Sequence, residues 1–262
     1  MPSVLIWWDD PADAFTNMAA DELLAAEAER RGGLVVRLYG WSPASVSLGA
    51  FQPIAAARGL AAIAGLPVVR RPSGGGALVH GSDLTYAAAI PKQHPWGRSP
   101  QDFYDAFHAT LVAELRRRGV PARQHAATVA AGGQEDRFLC FDRRATGDVV
   151  VPGPDGTAAG PLEPKVLGSA QRRLAGAVLQ HGSLLVRANP RVGPEARHPG
   201  LLDLYAEVCP DVAHLAGAWL TSVARLDGAG VAWQESGFIA GREAAVAAAA
   251  GRFATDRWLE RR

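Results

Sequence analysis

The sequence predicts an α+β fold: a mixed, largely antiparallel β-sheet flanked by helices. Three observations carry this. Short apolar runs bounded by Gly, Pro and Ser recur through the first 187 residues and read as strands. Long helical periodicity interrupts them only at 16–30 and 99–118. After residue 187 the strand signals stop and helix follows, so helices cover a sheet rather than alternating with each strand.

Taken in order, 5–8 is a short apolar strand. The helix over 16–30 places Phe15, Met18, Ala19, Leu23 and Ala26 on one face, and Gly32-Gly33 stops it. Residues 34–39 and 45–49 are strands joined by a Trp-Ser-Pro turn. A short helix over 55–64 ends at Gly65 and Pro67, and 68–69 is a strand that feeds a glycine run. Residues 84–90 form a strand closed by Pro91. The clearest helix is 99–118, where Phe103, Phe107, Leu111 and Leu115 repeat every four residues. Ser99 and Asp102 make a capping-box-like start, and Gly119 ends it. Residues 149–151 and 178–186 are sheet strands, and the Pro- and Gly-rich 152–164 is an exposed loop. An alanine-rich helix over 242–259 carries Phe253, Trp258 and Leu259. With no internal repeat, and 190–199 the best boundary, the expectation is one domain over 1–262. Its core lies at about 5–187, with a small helical extension over 200–262.

The 262 residues are 48% apolar, enough for a sizeable core without disulfides or metal. A net charge of +1 argues against a dedicated nucleic-acid binder. Cys140 and Cys209 are far apart and show no zinc-ligand spacing, so no metal is expected. No window reaches the roughly 20 apolar residues of a membrane span. The N-terminus lacks a basic region before a long apolar run. The expectation is a soluble cytoplasmic protein with neither membrane nor nucleic acid as partner.

The candidate chemistry lies in three segments. The first is Arg70-Arg71-Pro72-Ser73-Gly74-Gly75-Gly76-Ala77-Leu78-Val79-His80 and the second Cys140-Phe141-Asp142. The third is Lys165-Val166-Leu167-Gly168-Ser169-Ala170-Gln171, running on to Gln180-His181-Gly182-Ser183-Leu184-Leu185. Three consecutive glycines let backbone approach something closely. A thiol, an amine and exposed backbone are the parts of an acyl-transfer site. Each part also has an ordinary reading. The glycines could be a hairpin tip with a solvated Arg pair; they match neither a Walker A loop nor a dinucleotide fingerprint. Free cysteines are commonly inert core residues, the reading that suits Cys209 beside Pro210. Cys140 differs, because Arg137, Asp142, Arg143 and Arg144 surround it and nearby cations favour the thiolate. Lys165 is one of two lysines in an arginine-rich chain, and lysine can lower its pKa and exchange a proton. It precedes a Gly-Ser-Ala turn, whereas Lys92 reads as a surface charge. His80 and His181 are either core histidines or partners of the cysteine. Arg116-Arg117-Arg118 reads as a solvated helix end.

Together the segments resemble the lipoate-protein ligase and octanoyltransferase superfamily, whose fold is shared with biotin-protein ligases. Residues 70–80 are similar to its arginine–glycine signature ending near a His, and 17–22 resemble its first-helix pattern. Residues 165–171 resemble its Lys-x-x-Gly-Ser-Ala-Gln segment, and 180–185 its His-Gly-Ser-Leu-Leu strand. Cysteine followed by Phe upstream of the lysine, with Gly81-Ser82-Asp83-Leu84-Thr85-Tyr86, is closest to the cysteine-dependent octanoyltransferases. Gly76 stands where many of those carry Arg.

The resemblance implies a biotin/lipoate protein ligase-like catalytic domain. It implies transfer of an octanoyl group from acyl carrier protein, or from an octanoylated lipoyl domain, through a Cys140 thioester. The acceptor would be the lysine of a lipoyl-acceptor protein, glycine cleavage H protein or 2-oxoacid dehydrogenase E2, with no cofactor. Cys140 and Lys165 would be catalytic. Arg70, Arg71, Ser73, Gly74, Gly75, Gly76, His80, Gly168, Ser169, Ala170, His181 and Gly182 would bind substrate. Leu78, Val79 and Leu84 would wall the acyl slot, and Arg70, Arg143 or Arg172 would dock acidic partners. One alternative is an ATP-dependent lipoate-protein ligase forming a lipoyl-adenylate, with Cys140 a bystander. Another is a non-catalytic acyl- or acceptor-binding protein.

Overall fold

The protein is described from a computed structural model, over residues 3–126, 138–153 and 163–261. Arg137 and most of the Pro- and Gly-rich loop lie outside the described residues. In chain order the strands are β1 (Ser3–Trp8), β2 (Val35–Tyr39), β3 (Ser45–Leu48), β4 (Val68–Arg70), β5 (Leu78–His80) and β6 (Asp83–Pro91). They continue with β7 (Arg123–Gln124), β8 (Val149–Val150), β9 (Lys165–Arg173), β10 (Ala177–Leu185) and β11 (Gly230–Trp233). The helices are α1 (Ala14–Arg31), α2 (Ile54–Arg58), α3 (Pro95–Arg98) and α4 (Pro100–Arg117). They continue with α5 (Leu201–Tyr205), α6 (Val212–Leu226), α7 (Glu243–Phe253) and α8 (Asp256–Leu259).

The strands form a large sheet in the order β11-β1-β2-β6-β10-β9-β8-β7 and a small one in the order β4-β3-β5. Every pairing in the large sheet is antiparallel except β11–β1 and β1–β2. At its centre β6 and β10 pair from Asp83↔Leu185 to Pro91↔Ala177. Both faces of this pair are covered, so β10 is buried at every position, its polar Gln180, His181 and Ser183 included. Alternate residues of β6 enter different cores. Tyr86, Ala88 and Ile90 join Phe103, Phe107 and Leu111 of α4 and Trp219 of α6. Ala87 and Ala89 join Met18 and Leu24 of α1 and Phe253 of α7.

Several elements differ from the sequence expectation. The Gly-Ser-Ala stretch after Lys165 is the interior of β9, paired with β10, and not a turn. The helix over 55–64 stops at Arg58 and resumes as a short 3-10 turn at Ala61–Ile63. Ser99 makes no side-chain cap bond, and Pro100 takes the first position of α4, where its fixed φ and missing N–H are no loss. The 242–259 helix breaks after Phe253, where the Thr255 hydroxyl accepts from Trp258 N–H to start α8. The 200–262 segment is not only helical: it adds β11 to the edge of the large sheet beside β1. Among the described residues, no helix is long and apolar enough to cross a membrane.

Candidate active site

The site forms where the two sheets face each other. Cys140 reaches it through a backbone zip: Ala77 N–H donates to Phe138 O at 2.9 Å, and Cys140 N–H donates to Ala77 O at 2.7 Å. This needs glycine at position 76, since a Cβ there would lie 2.9 Å from Cys140 Cα and 3.2 Å from Phe138 O. The third glycine of the run is thus the surface against which the cysteine segment packs.

Lys165 opens β9 and is 4% exposed. Its side chain folds back along its own strand over Gly168, where a Cβ would lie 2.4 Å from Lys165 Cε. The ammonium sits 2.7 Å from Asp148 Oδ2 and 3.4 Å from Cys140 Sγ. Burial alone would depress the lysine pKa, but Cys140 and Asp148 outweigh it and raise it above its ordinary value. The sequence expectation of a lysine free to lower its pKa is therefore reversed: Lys165 rests as a cation. Asp148, the carboxylate responsible, was not anticipated. Its signal was its place, directly before the apolar strand β8 that pairs with β9 at Lys165.

The rest of the glycine motif is held by guanidinium groups. Arg71 Nη2 donates to Gly74 O at 2.6 Å and Gly76 O at 2.7 Å, and Nη1 to Ser47 O at 2.9 Å. Burial brings its pKa down to about 10. Arg70 does not reach the cavity. It is fully buried and donates to Gly49 O, Ala50 O, Gln52 O and Leu259 O, so it holds the loop from behind and cannot dock a partner. Ser73 Oγ bonds His181 Nε2, and His181 Nδ1 lies 3.3 Å from Asp21 Oδ2. Asp21 also takes Arg37 Nη1 at 3.1 Å and Tyr39 OH at 2.8 Å, which explains the polar residues in the α1 pattern. His80 stacks on Trp41 at 3.8 Å, bonds Asp83 Oδ2 at 2.8 Å through Nδ1, and bonds Ser47 Oγ at 2.9 Å through Nε2. Among the described residues neither histidine is bonded to Cys140; the sulfur's partner is Lys165.

Cys140 opens onto a cavity of about 430 Å³, including its open mouth, and Lys165 stands behind it, touching the sulfur from outside the lining. Gly75, His80, Cys140, Ser169, Ala170 and His181 line it, with Gly168 and Gly182, whereas Arg70, Ser73, Gly74 and Gly76 stand behind it. Of the three apolar wall residues anticipated, only Leu78 contributes. Strand alternation turns Val79 to the opposite side of β5, into a separate cavity, and Leu84 lies in the core with α4. Met18, Tyr39 and Trp41 supply apolar wall instead, from elements far away in sequence.

Residues 13–197 match the Lipoyl protein ligase A/B catalytic domain family. The chain belongs to that family. It is 35% identical over 186 residues to octanoyltransferase LipM of Moorella thermoacetica, covering 68% of this chain and 63% of that protein. To octanoyltransferase LipM of Bacillus subtilis it is 33% identical over 180 residues, covering 65% and 60%. The aligned part thus spans less than two thirds of the length of these relatives. Among solved structures it superposes on a putative lipoate protein ligase from T. acidophilum, Ta0514, with TM-score 0.67 at 18% identity over 98% of each chain. It superposes equally well, at 0.67 and 17% identity over 98% of each, on a lipoate-protein ligase A bound with ATP. The family fold is therefore that of this chain, including its mixed sheet and flanking helices. The family match contains the whole Cys140–Lys165–Asp148 cluster, while Leu259, the partner of Arg70, lies beyond it.

Proposed function

We propose that the protein is an octanoyltransferase of protein lipoylation, acting through a Cys140 thioester. The observation that carries this is the Lys165 ammonium 3.4 Å from the sulfur of Cys140, which lines a largely apolar cavity. The relatives named octanoyltransferase support the same reading.

The Cys140 thiolate attacks the thioester carbon of octanoyl-acyl carrier protein. A Cys140–acyl bond forms, the carrier's C–S bond breaks, and the carrier thiolate takes a proton from Lys165. This transfer becomes feasible on acylation. The negative sulfur that helps keep Lys165 protonated is then neutral, and burial works against the ammonium. Next the amine of an acceptor lysine attacks the acyl-enzyme. It forms an amide, passes its proton to Lys165 and releases the Cys140 thiolate. Thioester exchange is nearly balanced and aminolysis runs downhill, so no nucleotide is consumed. Among the described residues the N–H of Gly75, which lines the cavity, has no hydrogen-bond acceptor, which leaves this amide free to hold the developing oxyanion. The acyl chain lies against Leu78, Met18 and Trp41, gaining about 0.8 kcal/mol per buried CH₂. The acceptor is a lipoyl domain, of H protein or E2 type. Donor and acceptor are soluble proteins, so the reaction belongs in the cytoplasm.

Intact-protein mass spectrometry after mixing with octanoyl-acyl carrier protein tests this. One hydroxylamine-labile octanoyl group is expected, absent in Cys140→Ala. Wild-type turnover by Cys140→Ala overturns the reading, as does robust acceptor lipoylation from lipoate and ATP without a carrier.

A further inference from the structure

Behind the cysteine–lysine pair lies a buried histidine that the transfer steps do not use. His108 on α4 has no solvent exposure. Its Nδ1 is 2.8 Å from Gly147 O and its Nε2 2.7 Å from Ser169 Oγ. A carbonyl only accepts, so Nδ1 carries the proton and Nε2 is left to accept the Ser169 hydroxyl. Tyr86 OH lies 2.7 Å from the same Ser169 Oγ and accepts from Gln180 Nε2 at 2.7 Å. Gln180 Oε1 in turn accepts from Gln171 Nε2 at 2.7 Å. Every donor therefore points one way, from Gln171 to the Gly147 carbonyl. The ring of Tyr104 stacks 3.9 Å over His108, and its hydroxyl donates to Asp148 Oδ1 at 3.3 Å.

We propose that His108 is a positioning residue for the Cys140 nucleophile. It bridges the Gly147–Asp148 corner to the Gly168–Ser169 strand, and so holds the Lys165 ammonium against the sulfur. The geometry carries this from both sides. On one, Gly147 precedes the only carboxylate paired with Lys165 among the described residues, and Tyr104 braces that carboxylate from the same ring stack. On the other, Ser169 follows the glycine over which the lysine side chain folds. Misplacing catalytic groups by an ångström is costly in rate. A neutral ring is required, since an imidazolium would present a second donor to Ser169 and reverse the chain. Burial lowers the His108 pKa to about 4, so the ring stays neutral at ordinary pH. The charged and titratable groups bearing on Cys140 are Lys165, Arg71 and Tyr104, with Asp148 behind Lys165. Those bearing on His108 are Asp148 and Lys165, with Tyr104 on its face.

This inference rests on Cys140 being the nucleophile, and the test separates the two ideas. Iodoacetamide alkylation of Cys140 is followed against pH by peptide mass mapping, with Cys140→Ala as the blank. His108→Phe is expected to move the alkylation profile up by about one pH unit, a roughly tenfold slower alkylation on its rising limb. Acylation should slow about tenfold with little change in the KM for the acyl donor. His108→Asn, which can still donate to Gly147 O, should recover part of the loss. Tyr104→Phe, which keeps the ring stack, should give a smaller shift in the same direction and serves if His108→Phe does not fold. A profile identical to wild type in folded His108→Phe, or in Tyr104→Phe should the former not fold, overturns the proposal. Alkylation needs no acyl donor. A His108-dependent profile without any octanoyl adduct therefore sinks the transfer reading alone, and an adduct with a His108-independent profile sinks this inference alone.

Discussion

The two walls of the cavity are built by different means. One wall is β6, β10 and β9, long strands locked in antiparallel register, with Gly168↔Ser183 and Thr85↔Ser183 opposite each other. The other is the three-stranded small sheet and the glycine run. There β4 and β5 are three residues each, and the loop carbonyls are gathered by Arg70 and Arg71. The first wall takes its shape from backbone pairing, which most side chains permit. The second depends on two buried cations whose lost hydration is offset by carbonyl oxygens. Substitutions should therefore damage the second wall through stability, and the first through the placement of chemical groups.

The sharpest way to break this contrast is Arg71→Met. It leaves the carbonyls of Ser47, Gly74 and Gly76 without their donor. Each such orphan costs about 1–3 kcal/mol, so we expect several kcal/mol lost in urea unfolding and at least a hundredfold slower Cys140 acylation. Gly168→Ala is the counterpart on the ladder wall. The added methyl displaces the flexible end of Lys165 and not the strand, so acylation should fall about tenfold to a hundredfold. Its Tm should move by only a few degrees; a large drop would erase the distinction.

Acid titration sharpens the comparison from the ladder side. His108 has a folded pKa near 4, below its ordinary 6.5. Between those values the unfolded chain binds the extra proton, so stability falls as pH falls. The slope approaches about 1.4 kcal/mol per pH unit. Asp83, whose pKa is also lowered despite its burial, through His80 above all, loses stability in the same direction. The difference between wild type and His108→Phe isolates the histidine, and equal slopes would remove it as the source. Lys165 has the opposite sign: its stabilisation is present at neutral pH and is lost as pH climbs past 10.5. The smallest effect is expected from Trp258→Phe, which removes the 2.8 Å bond from Nε1 to Arg70 O. About 1 kcal/mol of stability should be lost, with a modest slowing of acylation. No change in Tm would mean that the C-terminal segment does not brace the glycine wall.

Much of the fold was legible because its signals are local. The four-residue repeat of Phe103 to Leu115 and the apolar ends of β10 need only their own neighbours to be read. The strand β9 was missed because Gly168 and Ser169 look like turn residues. They are in a strand because the lysine and the Ser169–Tyr86 bond occupy the space their small side chains leave. Val79 was misassigned because which face of β5 meets the cavity depends on how the small sheet docks.

Sequence alone was sufficient for the order of the glycine, cysteine and lysine segments, for the family resemblance they carry and for the main helices and central strands. These follow from residue types and short-range periodicity. Only the tertiary structure decided that the sulfur faces Lys165 and neither histidine. It alone decided that Cys140 and Asp148 together keep that lysine charged, and that Arg70 is bound to a carbonyl 189 residues away. Distances between side chains remote in sequence, and the burial that sets their charge, are properties of packing, and no local pattern encodes them.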